Sequence, residues 1–536
     1  MASLTLRNGP LGKRLAAHLL RRATYNITPA RIDTFATMTA AQAVDALFVI
    51  PPYVHPEGPL NWEDGGTAWL TTGPYLSRPS SGGQRKRAVR FWFYNELIRD
   101  TSIRHKMTMF FHSIFISAID TDWRLFDNWR LFQYYALGNI KTLTQKITTD
   151  NLMLRYLNND VNKKSSPNEN YSREFLELFT ILKGEQVGVG DYSTYTEHDI
   201  VQAARVFSGF TTDGFEDKDP VTGLAIGRAN YNNHDAGNKT FSHAFQNHTI
   251  HGAVDEADMF RELEDFVEMV YSKDATARSF CRRLYLFFVS DIITEEIEND
   301  IIAPMAVQLK NDNYEVINTL KLLLKSVHFY DEDDSDATNE IIGGKIKSGL
   351  HLYMTSLNLF NANGIPDLNA DFALYPTISN YLINRVLLPM GFPNHPASVE
   401  GYPGFFKSPG FSNFWFDQTN IGHRYRLGYS LINGKSLLNN TTIPFKINLT
   451  QFFTQNFTNQ KYSNQLVLQF LEYTLPEMPD AARIAYFENF LLGGLSPINW
   501  FFEWHAYEQS GDGTAVEIAL GNFFDAVVNS PEFQTF

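Results

Sequence analysis

Apolar residues recur at helical spacing in segment after segment of this chain, while sustained two-residue alternation is scarce. That pattern restricts the fold more than any other feature. "PARIDTFATMTAAQAVDALF" reads as one or two short helices, "RAVRFWFYNELIRDTSIRHKMTMFFHSIFISAI" as two longer ones and "NWRLFQYYALGNIKTLTQKIT" as another. The period continues in "EHDIVQAARVFSGF", "EADMFRELEDFVEMVYS", "ATARSFCRRLYLFFV", "NYEVINTLKLLLKSV", "KIKSGLHLYMTSLNLF", "NQLVLQFLEYTL", "DAARIAYFENFLLGG" and "TAVEIALGNFFDAVVNS". The expected fold is mainly α: a large multi-helical globular protein with long irregular loops and at most a small β-hairpin between Thr211 and His251. No repeat of fixed period occurs, which argues against a regular solenoid.

Three irregular stretches interrupt the helices: Pro51 to Arg85, Thr211 to His251 and Pro389 to Gly428. Loops of this length in a helical protein are usually functional or disordered. The acidic run "DEDDSD", Asp331 to Asp336, reads as a solvated linker, since it lacks the glycine and distal glutamate of a calcium loop. It marks a soft boundary between an N-terminal helical region, residues 1–330, and a C-terminal one, residues 337–536, expected to pack as one continuous body.

The net charge of −14 makes a broad nucleic-acid surface improbable, because phosphate binding needs clustered Lys and Arg. "GKRLAAHLLRR", with Lys13, Arg14, His18, Arg21 and Arg22, reads as a solvated first helix; a transit peptide or membrane-surface helix is the sharper alternative. No apolar run has the length of a membrane span, and none after Met1 has the form of a Sec signal peptide. The single cysteine, Cys281, sits among helix-spaced apolar residues and is expected to be an inert core thiol.

Candidate chemistry gathers in four places. In "NENYSREFLELFT", helical winding puts Tyr171, Phe175, Leu176, Leu178 and Phe179 on one arc and Asn170, Arg173, Glu174 and Glu177 on the other. If wet, that second arc is a routine surface row with Arg173 bridging to a carboxylate; if sheltered, Glu174 and Glu177 are raw material for acid–base catalysis. "NNHDAGNKTF" supplies His234, Asp235 and Lys239 around Gly237, with His243, His248 and His251 following. A His beside an Asp suits a divalent metal or a proton relay, but no spacing matches a known zinc motif and the same residues make an ordinary turn. His112 lies between apolar residues, as a core histidine or a pocket base. "NHPASVEGYPGF" offers His395 and Glu400 for binding, and with Tyr402 and Trp415 it reads as an aromatic lid or as a surface for a glycan or a protein. Walker A, Gly-x-Ser-x-Gly and Gly-x-Gly-x-x-Gly patterns are absent, so no motif implies a cofactor.

Read in order, "AAHLLRRATYNITPARID", "HKMTMFFHSIF", "NENYSREFLELFTILKG", "YTEHDIVQAARVFSGF", "NNHDAGNKTF", "KIKSGLHLYM" and "MGFPNHPASVEGYPGF" resemble the bacterial domain of unknown function 1800 family across nearly the whole chain. The family's usual Trp-His is here Phe111-His112, and its Gly-Trp-Pro is Gly401-Tyr402-Pro403. The resemblance implies a bacterial protein without an established activity. It also implies a family often exported, and often encoded beside a partner of the domain of unknown function 1501 family. The expected function is an exported or envelope-associated binding or assembly protein acting with a partner. The alternative is a hydrolase in which Glu174, Glu177, His112, His234 and Asp235 share one cleft, acid–base or metal-assisted, with any metal on His234 and Asp235.

Overall fold

The structure is a computed structural model that describes residues 2–51, 60–61, 67–68, 82–118, 122–212, 217–333, 341–360, 393, 395–396, 398–418, 420–435 and 446–536. The chain is built from helices, as the periodicity predicts. In order they are α1 (Gly12–Ala23), α2 (Pro29–Ala36), α3 (Ala40–Leu47), α4 (Gly82–Arg99), α5 (Arg104–Ile114), α6 (Asp122–Tyr134), α7 (Ile140–Thr148), α8 (Asn151–Tyr156), α9 (Asn170–Glu174) and α10 (Glu197–Val206). There follow α11 (Glu256–Tyr271), α12 (Asp274–Phe288), α13 (Ala303–Asn311), α14 (Val316–Leu324) and α15 (Gly349–Leu359). The last group is α16 (Leu449–Asn456), α17 (Ser463–Thr474), α18 (Ala481–Leu492), α19 (Pro497–Ser510) and α20 (Thr514–Val528). Strand content among the described residues is limited to two-residue antiparallel ladders: Leu60–Asn61 with Thr67–Ala68, Phe210–Thr211 with Arg228–Ala229, and Lys239–Thr240 with Thr249–Ile250. Most of the first irregular stretch, residues 213–216 of the second, part of the third, and Asp334, Ser335 and Asp336 of the acidic run lie outside the described residues.

Local signals set the helix starts. The Thr39 side chain and Gln42 satisfy each other's backbone N–H at the head of α3, and Asp150 accepts from the Leu152 and Met153 N–H groups at the head of α8. Each such cap is worth about 1 kcal/mol. Asn139 explains one departure from the sequence reading: "NWRLFQYYALGNIKTLTQKIT" is two helices, because the Asn139 side chain accepts from the Thr142 N–H and restarts the helix as α7.

One apolar cluster runs from Ala2 to Phe533, and a small second one joins Ile116, Tyr402 and Trp415. Cys281 is buried in the first, and burial pushes its thiol up. Two sequence expectations change. α1 is not a solvated helix: His18, Arg21 and Arg22 are all buried. Arg21 donates to the carbonyls of Tyr473 (2.8 Å) and Leu475 (3.1 Å) at the C-terminal end of α17, where a helix lacks donors of its own. The described part of the acidic run is also engaged: Asp333 accepts from the Ser3 N–H and lies 2.8 Å from His328, and Asp331 accepts from the Ile341 N–H. No helix of the described residues is long and apolar enough to cross a membrane.

Candidate functional site

The helix that begins at Asn170 does not stay α-helical. After Glu174 the turn widens to a π-helix over Phe175–Phe179, a distortion that is often found at functional sites. Tyr171, Phe175, Leu176 and Phe179 point into the core, as the sequence predicts. The polar arc is reorganised by the wide turn. Arg173 makes a two-pronged pair with Glu197 of α10 (both 2.8 Å) and approaches Glu169 at 3.5 Å, while Glu177 pairs with Lys183 and accepts from the Tyr195 hydroxyl at 3.5 Å. Asn170 is exposed, and its side-chain amide donates to the Leu157 carbonyl.

Glu174 is left half-buried between these pairs. Burial, then the charges of Glu177 and Glu400, push its carboxyl up to about 7, against the opposing pull of Arg173 and Lys183. Glu400 therefore comes from far along the chain to the same place. Tyr156 links this carboxylate group to the small aromatic cluster: burial, then the charge of Glu174, raises its phenol, and its ring packs on the cluster of Ile116, Tyr402 and Trp415.

That cluster is a packed miniature core. Tyr402 and Trp415 are buried, so neither presents a face for stacking on a ligand. Its backbone has no room to spare. Gly401 holds φ +99°, and a side chain there would meet the Ile116 Cδ1 atom at 2.7 Å; one at Gly404 would collide with the Trp415 ring. His112 lies behind it, with its ring centroid 5.9 Å from that of Tyr402, fully buried and its imidazole pushed down to about 3 by desolvation. His395 is more exposed; burial, then Arg90 at 2.7 Å, lowers its imidazole to about 4, and its backbone N–H donates to the Tyr402 hydroxyl.

His234 and Asp235 belong to a different assembly. The His234 Nδ1 atom lies 2.7 Å from the Ser208 carbonyl and Nε2 lies 3.1 Å from Glu262 of α11. Lys239 reaches the other oxygen of Glu262 at 2.5 Å and donates to the Asp235 carbonyl. His234, Lys239 and Glu262 have no exposed side-chain surface. Asp235 receives both prongs of Arg205 (2.8 and 3.1 Å), which holds its carboxyl down to about 2. With both ring nitrogens and both carboxylate oxygens already engaged, these two residues make a poor metal pair. Among the described residues no three His, Cys, Asp or Glu side chains form a metal-holding group. His248 and His251 instead line a groove of about 680 Å³ beside Asp265, Glu268 and Lys273.

α10 separates the two assemblies. Its first residue, Glu197, holds Arg173 and its penultimate one, Arg205, holds Asp235, so about 12 Å of helix axis lies between. The structure thus brings Glu174, Glu177 and Glu400 together, with Tyr402, Trp415 and His112 behind them, and sets His234, Asp235 and Lys239 apart.

Two residues that matter here escape the sequence reading. Glu262 falls at apolar spacing with Met259, Leu263 and Phe266, and a carboxylate on a greasy face is the readable sign of a buried partner. Asp199 is the fourth residue of a Thr-x-x-Asp cap and is wholly buried, accepting from Thr196 and from both the N–H and the hydroxyl of Ser242.

Compared with known families, residues 18–535 match the family described as protein of unknown function (DUF1800). The chain belongs to that family. No curated protein and no solved structure matched this DUF1800 chain.

Proposed function

We propose that this DUF1800 protein is a binding or assembly protein that works with a protein partner, of the exported or envelope-associated kind that the family resemblance implies. The observation that carries this reading is a contrast. Conspicuous polar residues of the family blocks are spent on partners within the chain: His234, Asp235 and Lys239 tie a loop to α10 and α11, and Arg173 ties α9 to α10. Large apolar residues of the C-terminal helices stay in water, with Leu495 63 %, Ile498 54 % and Phe502 60 % exposed. A surface of that kind favours a partner. A protein of the domain of unknown function 1501 family is the candidate that the resemblance supplies.

The test is the assembly state of the tagged full chain in extracts and envelope fractions of its native host. A stoichiometric complex on gel filtration supports the reading, and a chain that runs as a free monomer in every fraction overturns it.

One observation favours a second reading, acid–base chemistry: Glu174 is poised near neutrality beside Glu177. Turnover of glycosidic or ester model substrates that disappears in both Glu174→Gln and Glu177→Gln would support it. Activity unchanged in both variants would remove it.

A further inference from the structure

The region where α1, α5 and α15 meet buries more positive charge than the chain sets against it. Arg21, Arg22, Lys106, Lys345, Lys347 and Arg424 are each no more than 5 % exposed. Among the described residues only Lys345 of these has an ion-pair partner, Asp291 at 2.6 Å. Arg21, Lys347 and Arg424 donate to carbonyl oxygens of other segments. A carbonyl completes a hydrogen bond but leaves the charge in place, and uncompensated charge in a protein interior is costly.

Arg22 and Lys106 meet His351 round the ring of Phe536. The guanidinium lies 4.2 Å from the ring centroid, the imidazole stacks on the ring at 4.4 Å, and the ammonium stands 5.9 Å away. As an ammonium, Lys106 can only donate to the His351 Nδ1 atom, which puts the imidazole proton on Nε2. That Nε2 atom is buried without a hydrogen-bond partner. Arg22 donates from Nη2 to the Ile341 carbonyl at 2.8 Å, and its Nε and Nη1 atoms are also buried without a partner. All the open positions are therefore donors, so none of them can close another. The carboxylates whose charge reaches Arg22 are engaged elsewhere, Asp291 by Lys345 and the Ser412 N–H, Asp331 by the Ile341 N–H. Water accepts such bonds but cancels no charge.

From this we propose that the cluster encloses a small divalent oxyanion, phosphate or sulfate, held by Arg22, Lys106 and His351. Charged N–H donors of this kind suit a tetrahedral oxyanion. The ligand is small because the three side chains are at most 4 % exposed, which leaves no opening for the rest of a nucleotide or a lipid. It is divalent because two cations face it without a carboxylate. Burial, then the charge of Arg22, pushes the Lys106 ammonium well down, and a bound anion opposes both effects.

The full chain is purified in chloride buffers free of phosphate and sulfate and denatured in guanidinium chloride, and the released anions are counted by ion chromatography. About one phosphate or one sulfate per chain is expected, and the one that appears identifies the ligand. In parallel, thermal unfolding is followed as inorganic phosphate replaces chloride at constant ionic strength. Lys106→Met is the deciding variant, since it keeps a side chain of similar length and removes one charge. With an anion enclosed, the variant holds it about tenfold or more weakly, and phosphate raises its unfolding temperature less than that of the parent. Without one, removing a repelled cation leaves the variant at least as stable as the parent in every buffer. That result overturns the proposal and makes Lys106 a neutral amine in the folded chain. An anion kept equally by Lys106→Met and His351→Leu is an adventitious ion only and overturns it too. So does a parent chain that releases no anion and responds to phosphate as the variant does.

Discussion

The His234 imidazole lies 3.1 Å from the Glu262 carboxylate, and neither side chain has any exposed surface. Lys239 completes the group from a loop otherwise held by two-residue ladders and short turns. Removing one member of a buried ionic group leaves the others uncompensated. Lys239→Met is therefore expected to destabilise the chain by about 3–5 kcal/mol in urea denaturation. Asp235→Ala breaks a pair that is partly in water and costs about 1 kcal/mol or less. Equal costs for the two would show that burial does not distinguish them.

Glu174 gives a pH signature. Its folded-state carboxyl is pushed up to about 7 from an ordinary 4.5, so the native state holds the proton more tightly than the unfolded chain does. The linked contribution is complete below about pH 4.5 and is lost as pH rises toward 7. After discounting for solvent screening, about 1–2 kcal/mol is at stake. Glu174→Gln is expected to flatten stability across that interval, measured by chemical denaturation at several pH values; an unchanged slope contradicts the assignment.

Gly401→Ala tests the close approach at the aromatic cluster. With φ +99° and Ile116 at 2.7 Å, a methyl group meets both backbone strain and a clash. A loss of about 1–3 kcal/mol is expected, with the Trp fluorescence of the folded state altered through Trp415. A neutral substitution would mean that the loop does not sit on Ile116.

Arg21→Met removes the donors that close the end of α17. Charged hydrogen bonds of this kind are worth about 1.5–3 kcal/mol each, so a loss of at least that size is expected. Limited proteolysis should show cleavage appearing between α17 and α18 before the rest of the chain is cut.

Helices were legible in the sequence because most bury one stripe, and the 3.6-residue period survives in the letters wherever that is so, as in "EADMFRELEDFVEMVYS". α19 was not picked out from its spacing. Its inward tryptophans and outward Phe502 make it apolar on both sides, which erases the period. The Arg173–Glu177 row was drawn on a regular α-helix, and no letter in "REFLELF" announces a π-turn. Arg21 and Arg22 were read as wet because charge usually is. Their partners are carbonyls of α17 and of Ile341, hundreds of residues away and silent in any local pattern. His234 was legible as a residue with a role, but its counter-ion Glu262 lies on another helix, so a fastener looked as much like a metal ligand.

The bond from Arg21 to the Leu475 carbonyl spans 454 positions of chain. At ordinary translation speeds of about 5–20 residues per second, the ribosome needs on the order of 20–90 s to deliver the second half of that contact. For all of that interval the α1 arginine is without its carbonyl partners, and although α2 packs on α1 at once, the flank that α17 covers stays open. Nascent chains stalled before α17 should therefore recruit holding chaperones at their first helix, and release them once α17 has emerged.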